Sequence, residues 1–180
     1  MAILRSHFAK GAIEDFFLIT SIEVAMKINN AGLDLIKECE GLSLRSYLCP
    51  AGIPTIGYGH TKKVRLGQAI TQVEASQLLQ EDIAETEKAI ANWAANLHIA
   101  LNENEFAALV SFCFNIGIGN FAGSTTAKEL TKAKKLGDNR IEAANGLLLW
   151  NKGDDTAVLP GLVKRRKAEK GLFLKKVSRL

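Results

Sequence analysis

A stripe of apolar residues after Thr71 predicts the longest helix of the chain. Thr71–Glu74 has the form of a capping box, in which a threonine and a glutamate three residues later close the first turn reciprocally. The stripe, with steps of four and three residues, consists of Leu79, Ile83, Thr86, Ile90, Trp93 and Leu97. It corresponds to five turns, or about 36 Å to Asn96 at 1.5 Å per residue. A helix of this length can connect two lobes and leave a groove between them.

Start and stop signals predict further helices on both sides of the long one. The predicted starts are, in chain order, just after Asn30, at Asn102 with Glu105, at Ser124–Thr125, at Asp138 and at Pro160. The corresponding predicted ends are Glu40, Gly117 with Gly119, Gly137, Trp150 and about Phe173.

A hairpin is predicted between the first helix and the long one. Cys49–Gly52 has Pro second and Gly fourth, as a type I turn prefers, and it joins residues 45–48 to residues 53–60. Strand alternation would place three small residues on one face: Thr55, Gly57 and Gly59. Glycines inside a strand often mark the close approach of a ligand, so we interpret this face as the floor of a groove. The alternative is a hairpin whose glycines are merely flexible.

Composition indicates an ordered chain, and the predicted helices with one hairpin make it a mostly helical member of the α+β class. With 180 residues and 47% apolar content it can bury a core as one domain, or as two small lobes sharing a helix. Three cysteines allow one disulfide at most, which is typical of a protein built in a reducing cytoplasm.

The charge of +4 is concentrated at the end of the chain. Residues 161–180 hold eight Lys and Arg against one Glu, which leaves the first 160 residues at −3. Such a tail suits an anionic polymer or a membrane surface. Nucleic acid is disfavoured as a partner, because no zinc-finger, homeodomain or ribonucleoprotein signature accompanies the basic residues.

Residues 1–28 form an N-terminal extension, which we predict to be an amphipathic helix packed on the domain of residues 29–180. Its longest uncharged run, Phe16–Ile22, has seven residues and cannot span a bilayer. Glu14 and Asp15 interrupt what would be the apolar core of a secretory signal. We therefore predict neither a signal peptide nor a membrane anchor.

Glu40 is the first candidate for chemistry. At the end of its helix it meets the negative end of the helix dipole, and Leu42 and Leu44 are apolar neighbours. Both surroundings favour the protonated carboxyl, which suits a general acid near neutral pH. The alternative is an ordinary exposed surface glutamate.

The stretch from Glu40 to Thr61 resembles the active-site signature of phage-type lysozymes, the endolysins of glycoside hydrolase family 24. That signature has a Glu, eight residues, an Asp, five residues and a Thr that opens a T-I-G-x-G-H run. Glu40, Cys49 and Thr55 have this spacing, and residues 55–60 read TIGYGH. Cys49 stands where the commonest members have aspartate.

The resemblance covers roughly residues 29–173. Three later segments support it: Leu101–Phe106, Phe112–Gly117 and Val158–Arg166. It implies a lysozyme-like fold, with a small β-hairpin lobe and a larger helical lobe joined by the long helix.

The resemblance implies a muramidase that hydrolyses the β-1,4 bond between N-acetylmuramic acid and N-acetylglucosamine for host cell lysis. Glu40 would be the acid, with Cys49 and Thr55 holding the water. As a neutral thiol Cys49 is a poor base, whereas a thiolate could act as base or nucleophile. Whether the reaction inverts or retains configuration stays open.

Further site residues also follow from the resemblance. Gly59, His60 and Asn115 would bind substrate. His60 would pair with Asp82 as a structural ion pair, with catalysis by His60 as the alternative. A charge partner of Glu40 is expected at Arg165 or Arg166.

Two other functions are compatible with these residues. A lytic transglycosylase needs one acid/base and would make Cys49 irrelevant, while a non-catalytic peptidoglycan- or membrane-binding protein would use the basic tail. Within that tail, residues 174–180 carry +3 and lie beyond the resemblance, so they are either a separable basic appendage or a solvated helix end.

The expected partners are peptidoglycan glycan strands and, through the basic C-terminus, anionic envelope polymers. We expect a monomer without cofactor or metal that binds no nucleic acid. It would wait in the host cytoplasm until a holin opens the membrane, and then act in the periplasm or cell wall.

Overall fold

A computed structural model describes residues 26–136, 139–153 and 156–177. The elements, in chain order, are helix α1 (Asn30–Glu40), strands β1 (Ser43–Leu48) and β2 (Pro54–Gly57), and helices α2 (Gln72–Asn96), α3 (Glu103–Ile116), α4 (Ile118–Phe121), α5 (Thr125–Leu136), α6 (Arg140–Leu147) and α7 (Pro160–Phe173). The predicted mostly helical fold with one small hairpin is confirmed. The predicted helix within residues 1–25, the stop at Gly137 and the cap at Asp138 lie outside the described residues.

Helix α3 lies at the centre of the core. Its start is the predicted capping box: the Asn102 side chain accepts from the backbone N–H of Glu105, and the Glu105 carboxylate accepts from the N–H of Asn102. Ten consecutive residues, Asn104–Cys113, are buried. Since α1, α2 and α7 all pack on it, α3 determines how the elements that carry the site are arranged.

Helix α2 is the predicted long helix, with 25 residues, or about 37 Å at 1.5 Å per residue. Its capping box forms as predicted, with Thr71 Oγ1 accepting from Glu74 N–H at 3.2 Å. Near its start Ala75 packs against Gly57 of β2, and near its end the Trp93 ring meets the Phe121 ring edge-on at 5.0 Å. The helix therefore joins the hairpin lobe to the helical lobe.

The hairpin turn forms as predicted, but its second strand is shorter. The N–H of Gly52 donates to the carbonyl of Cys49 at 2.8 Å, which closes the turn. Strand β2 ends at Gly57 rather than His60, because Gly57 and Gly59 have φ of +67° and +94° and are not extended. The interpretation of Thr55, Gly57 and Gly59 as one strand face is therefore wrong. These glycines are explained by their backbone conformation, and Gly57 faces Ala75 rather than open space.

Two helix ends also differ from the prediction. Gly117 ends α3 with φ of +85°, but Gly119 lies inside the short helix α4. Helix α6 ends at Leu147, before Trp150, because the next three N–H groups bond to carbonyls three residues back in tighter turns. In α7 the predicted positions hold, with Pro160 in the first turn and the end at Phe173.

None of the helices in the described ranges is long and apolar enough to cross a membrane. At the start of these ranges, Ile28 is buried and its N–H donates to Glu87 at 2.8 Å. Residues just before α1 are thus attached to the long helix.

Candidate active site

Glu40 is the last residue of α1, as predicted. Gly41 follows with φ of +73°, and its N–H donates to the carbonyl of Lys37 at 3.1 Å, so the helix stops there. The Glu40 side chain is 26% exposed, and Oε1 accepts a hydrogen bond from Arg165 Nη1 at 2.7 Å. Of the two arginines expected near Glu40, Arg165 is the partner. Leu42 and Leu44 are both exposed.

Arg165 is buried and fully engaged. Besides Glu40 it donates to Glu169 Oε1 through Nε at 3.1 Å and to the Ser111 carbonyl through Nη2 at 3.2 Å. Burial works against the charged guanidinium, but the hydrogen bond to Glu40 and the charge of Glu169 outweigh it, and the pKa of Arg165 lies above its usual value. Glu40 therefore faces a permanent cation.

Arg166 lies beside Arg165 and contacts a different set of partners. Its Nε donates to the Trp150 carbonyl at 2.8 Å, and its other nitrogens donate to Glu169 and to Asn115 Oδ1. The guanidinium lies 5.0 Å from the centre of the Phe112 ring, in cation–π contact. Burial holds the pKa of Arg166 below its usual value, although an arginine stays charged at neutral pH.

Asn115 is exposed near the end of α3, and its carbonyl oxygen is occupied by Arg166. Its amide nitrogen makes no hydrogen bond to any described residue. Because the oxygen is occupied, the amide is oriented, and its two N–H groups remain for a ligand.

Glu40 and Asn115 line the same cavity, of about 630 Å³, which is within the usual range for ligand sites. We call it the acid-side cavity; its lining includes Glu40, Asn115, Leu159, Leu162, Lys164 and Arg165. A second cavity of about 590 Å³ shares Asn115, Leu159 and Leu162 with it and extends towards Trp150. The two cavities therefore adjoin one another beside α7.

Cys49 and Thr55 form a separate pair at the hairpin turn. Thr55 is buried, and its hydroxyl donates to the Ile53 carbonyl at 2.9 Å. The Ile53 backbone, followed by Ala51 and the Thr55 hydroxyl, holds the pKa of the Cys49 thiol below its usual value. Burial has the opposite effect on the two other free thiols: it raises the pKa of Cys39 and that of Cys113, the latter to about 12. Cys49 is thus the most acidic of the three thiols in this chain.

His60 forms the predicted ion pair with Asp82. Nδ1 lies 2.8 Å from Asp82 Oδ2 and Nε2 lies 2.9 Å from the Lys62 carbonyl, so both ring nitrogens are occupied within the chain. This arrangement favours a structural role for the imidazole. Gly59 precedes it with open space at the position of a Cβ.

The structure thus places Glu40 and Asn115 in one cluster and Cys49 and Thr55 in a second, while Gly59 and His60 lie in the loop after β2. Among the described residues, the lining of the acid-side cavity includes Glu40 and Asn115 but neither Cys49 nor Thr55, Gly59 or His60. The contribution of Glu169 was missed at the sequence level. A signal for it exists, because it is the one acid in residues 161–180 and lies four and three positions after the two arginines, the spacing of helical ion pairs.

The chain is similar to known proteins in sequence and in fold. A family model described as phage lysozyme matches residues 37–169. An endolysin of Acyrthosiphon pisum secondary endosymbiont phage 1 is 42% identical over 151 residues, covering 82% of this chain and 98% of the relative. The endolysin of Salmonella phage P22 is 40% identical over 155 residues, covering 83% and 99%.

Two solved structures have similar folds at appreciable identity. The muramidase domain of SpmX from Asticaccaulis excentricus superposes with a TM-score of 0.75 at 38% identity, covering 83% of this chain and 99% of that domain. A mutant of P22 lysozyme gives a TM-score of 0.73 at 38% identity, with the same coverage.

Proposed function

Because the chain belongs to the phage lysozyme family, we propose that Glu40 is the general acid of glycosidic cleavage and that Cys49 and Thr55 hold the attacking water. As a member of this family the chain is a glycoside hydrolase of the muramidase type and degrades peptidoglycan. The residue roles that follow are inferred from the geometry described above.

The observation that supports the acid role is the position of Glu40 on the wall of the acid-side cavity, with Arg165 fixing its carboxyl. A protonated Glu40 would donate to the glycosidic oxygen as the bond from that oxygen to the anomeric carbon breaks. Arg165 Nη1, 2.7 Å from Oε1, would stabilise the carboxylate that remains after proton transfer. Proton transfer of this kind contributes about 10²- to 10⁴-fold to rate.

Cys49 and Thr55 would act on the water that attacks the anomeric carbon. The lowered pKa of the Cys49 thiol makes its thiolate more accessible, and a thiolate can accept the proton that a neutral thiol cannot. The Thr55 hydroxyl, held next to the sulfur, would orient the same water as donor or acceptor. In this proposal the hairpin supplies the base and the helical lobe supplies the acid.

Sugar binding would involve residues of both lobes. The free N–H groups of Asn115 are suited to a sugar hydroxyl or N-acetyl carbonyl along the acid-side cavity. Gly59 and His60 would contribute from the hairpin lobe. His60 would do so by fixing the loop after β2, because both its ring nitrogens are bonded within the chain.

The scissile bond, the biological setting and the partners are finer parts of the proposal. We propose cleavage of the β-1,4 bond between N-acetylmuramic acid and N-acetylglucosamine for host cell lysis, by a monomer that a holin releases from the cytoplasm to the wall. Fewer basic residues are available for the proposed contact with anionic polymers than the sequence alone suggests. Arg165 and Arg166 are buried and cannot take part, which leaves exposed lysines such as Lys167, Lys175 and Lys176.

Turbidity loss of purified cell walls, combined with mass analysis of the soluble products, tests this function. New reducing ends on N-acetylmuramic acid are the expected result. Products ending in 1,6-anhydro sugars would instead identify a lytic transglycosylase, and wall binding without products would identify a non-catalytic protein.

A further inference from the structure

Glu169 lies between the two buried arginines of α7. It is 0% exposed, and its carboxylate is engaged on both oxygens. Oε1 accepts from Arg165 Nε at 3.1 Å and from Ser111 Oγ at 2.8 Å, and Oε2 accepts from Arg166 Nη1. A buried carboxylate is stable only when it is satisfied in this way.

The two arginines need a shared counter-charge. They are adjacent in sequence and buried side by side, so each disfavours the charge of the other. On a helix, a residue three and four positions further along lies beside both. Glu169 occupies this position, and one carboxylate therefore fixes the direction of two guanidinium groups.

The same two arginines also reach two polar residues that line the acid-side cavity. Arg165 Nη1 contacts Glu40, and Arg166 Nη2 contacts the Asn115 oxygen. The connection from Glu40 to Asn115 thus runs through three buried charged side chains of α7, namely Arg165, Glu169 and Arg166.

We propose that Glu169 is a positioning residue of the reaction, which holds Arg165 against Glu40 and Arg166 against Asn115 through a single buried carboxylate. The inference rests on the proposed roles of Glu40 as acid and Asn115 as sugar ligand. It has a specific consequence: one residue that touches no substrate controls the turnover step through one arginine and substrate binding through the other.

A matched control is available in Glu105. It is also buried in the helical lobe and also paired with an arginine, with Oε1 2.9 Å from Arg140 Nε, but it supports the start of α3 away from the cavity. Glu169→Gln weakens the pairing of two buried arginines, and Glu105→Gln weakens the pair with the half-buried Arg140, so both variants should have a lower melting temperature. Only Glu169→Gln should change the kinetic constants.

The experiment measures kcat and KM on soluble peptidoglycan glycan fragments of defined length, by release of reducing ends. For folded Glu169→Gln we expect kcat to fall about tenfold to a hundredfold, as for a displaced catalytic group, and KM to rise about fivefold, the worth of one ordinary hydrogen bond. Double-mutant cycles then separate the effect through Arg165 on kcat from the effect through Arg166 and Asn115 on KM. In an Arg165→Lys background the kcat effect of Glu169→Gln should largely disappear, and in an Asn115→Ala background the KM effect should disappear.

Unchanged kcat and KM in a folded Glu169→Gln protein, or changes no larger than those of Glu105→Gln, would overturn the inference. If Glu169→Gln does not fold, Glu169→Asp replaces it: the charge is kept, but the shorter side chain cannot span both arginines, so wild-type constants there would also overturn it. Failure of the proposed function is distinguishable, because it would show as activity retained by Glu40→Gln. An inactive Glu40→Gln beside an unaffected Glu169→Gln rejects only the role of Glu169.

Discussion

The two clusters of the candidate active site are held by different forces. Around Glu40, helices α1, α3 and α7 contribute a network of charged and polar groups that lie far apart in the sequence, with the buried charges on α7. Around Cys49, a single turn contributes backbone hydrogen bonds between residues at most six positions apart. Substitutions that change a charge should therefore lower stability most at the first cluster. At the second cluster, a side chain can be replaced with little effect on stability.

The difference also bears on how each cluster can fail. Breaking a buried ion pair leaves an uncompensated charge in the interior and costs about 3–5 kcal/mol. The Cys49 thiol is half-buried at a turn whose backbone bonds do not depend on its side chain. Loss of activity without loss of fold is thus easier to obtain at the hairpin.

The largest effect is expected for Glu40→Gln. The substitution keeps the shape and an acceptor for Arg165 but removes the transferable proton, so the lytic rate should fall by about two to four orders of magnitude. Circular dichroism should show a normal fold, and Glu81→Gln on the exposed side of α2 is the control. Wall hydrolysis near the wild-type rate by folded Glu40→Gln would exclude the acid role.

Next in size is the effect of Arg165→Met on stability. It removes one of the two arginines that compensate the buried Glu169 and also the partner of Glu40, and should lower the free energy of unfolding by about 3–5 kcal/mol. The neighbouring Lys164 forms an exposed ion pair with Glu38 at 2.8 Å, so Lys164→Met should leave the denaturation midpoint nearly unchanged. Equal midpoints for the two variants would mean that the buried network does not stabilise the fold.

At the hairpin, Cys49→Ser should reduce activity about a hundredfold, the lower end of general-base catalysis, with little loss of stability. Cys113→Ser is the reverse case, because Cys113 is fully buried in α3; it should cost stability and spare the rate. Cys49→Asp should retain much of the activity by supplying a carboxylate base. If Cys49→Ala lyses walls as fast as the wild type, Cys49 is merely a turn residue.

A smaller effect concerns pH. If Cys49 acts as a thiolate, the rate must fall as the pH drops through the pKa of that thiol, which the turn holds below its ordinary value. Replacing it by aspartate, whose ordinary pKa is about 3.9, should move this acidic limb to lower pH. Rate profiles of wild type and Cys49→Asp that coincide below neutral pH would argue against the thiolate.

The same contrast explains how much of the molecule was predictable. The turn, both capping boxes and the position of Glu40 depend on neighbours within a few residues, and all were predicted. The role of Glu169 was not, because its spacing indicates a pairing with the two arginines but does not show which side chains these arginines meet across the core, such as Glu40 at 125 positions from Arg165. Residues 164–167 read as a basic surface for the same reason, although two of the four are buried.

The strand face of Thr55, Gly57 and Gly59 failed for another reason. The alternation of strand faces was assumed to continue through Gly57 and Gly59, but their positive φ ends the strand. Glycine adopts positive and negative φ about equally readily, so the sequence pattern does not predict its backbone conformation.

The smallest effect is expected at the end of the chain, where the structure changes the boundary of the proposed appendage. The Asn104 side chain donates to the carbonyl of Lys175 at 3.0 Å, so Leu174 and Lys175 are attached to the domain, and we place the start of the proposed appendage at Lys176. Removing residues 176–180 should preserve the melting temperature and the hydrolysis of short glycan fragments. Wall binding should weaken markedly at low salt and only slightly at high salt, because charges are screened beyond about 8 Å at physiological ionic strength.

Removing residues 174–180 should in addition cost about 1 kcal/mol of stability through the lost hydrogen bond. Wall binding by the shorter deletion that falls equally at all salt concentrations would show that these residues act by packing and not by charge.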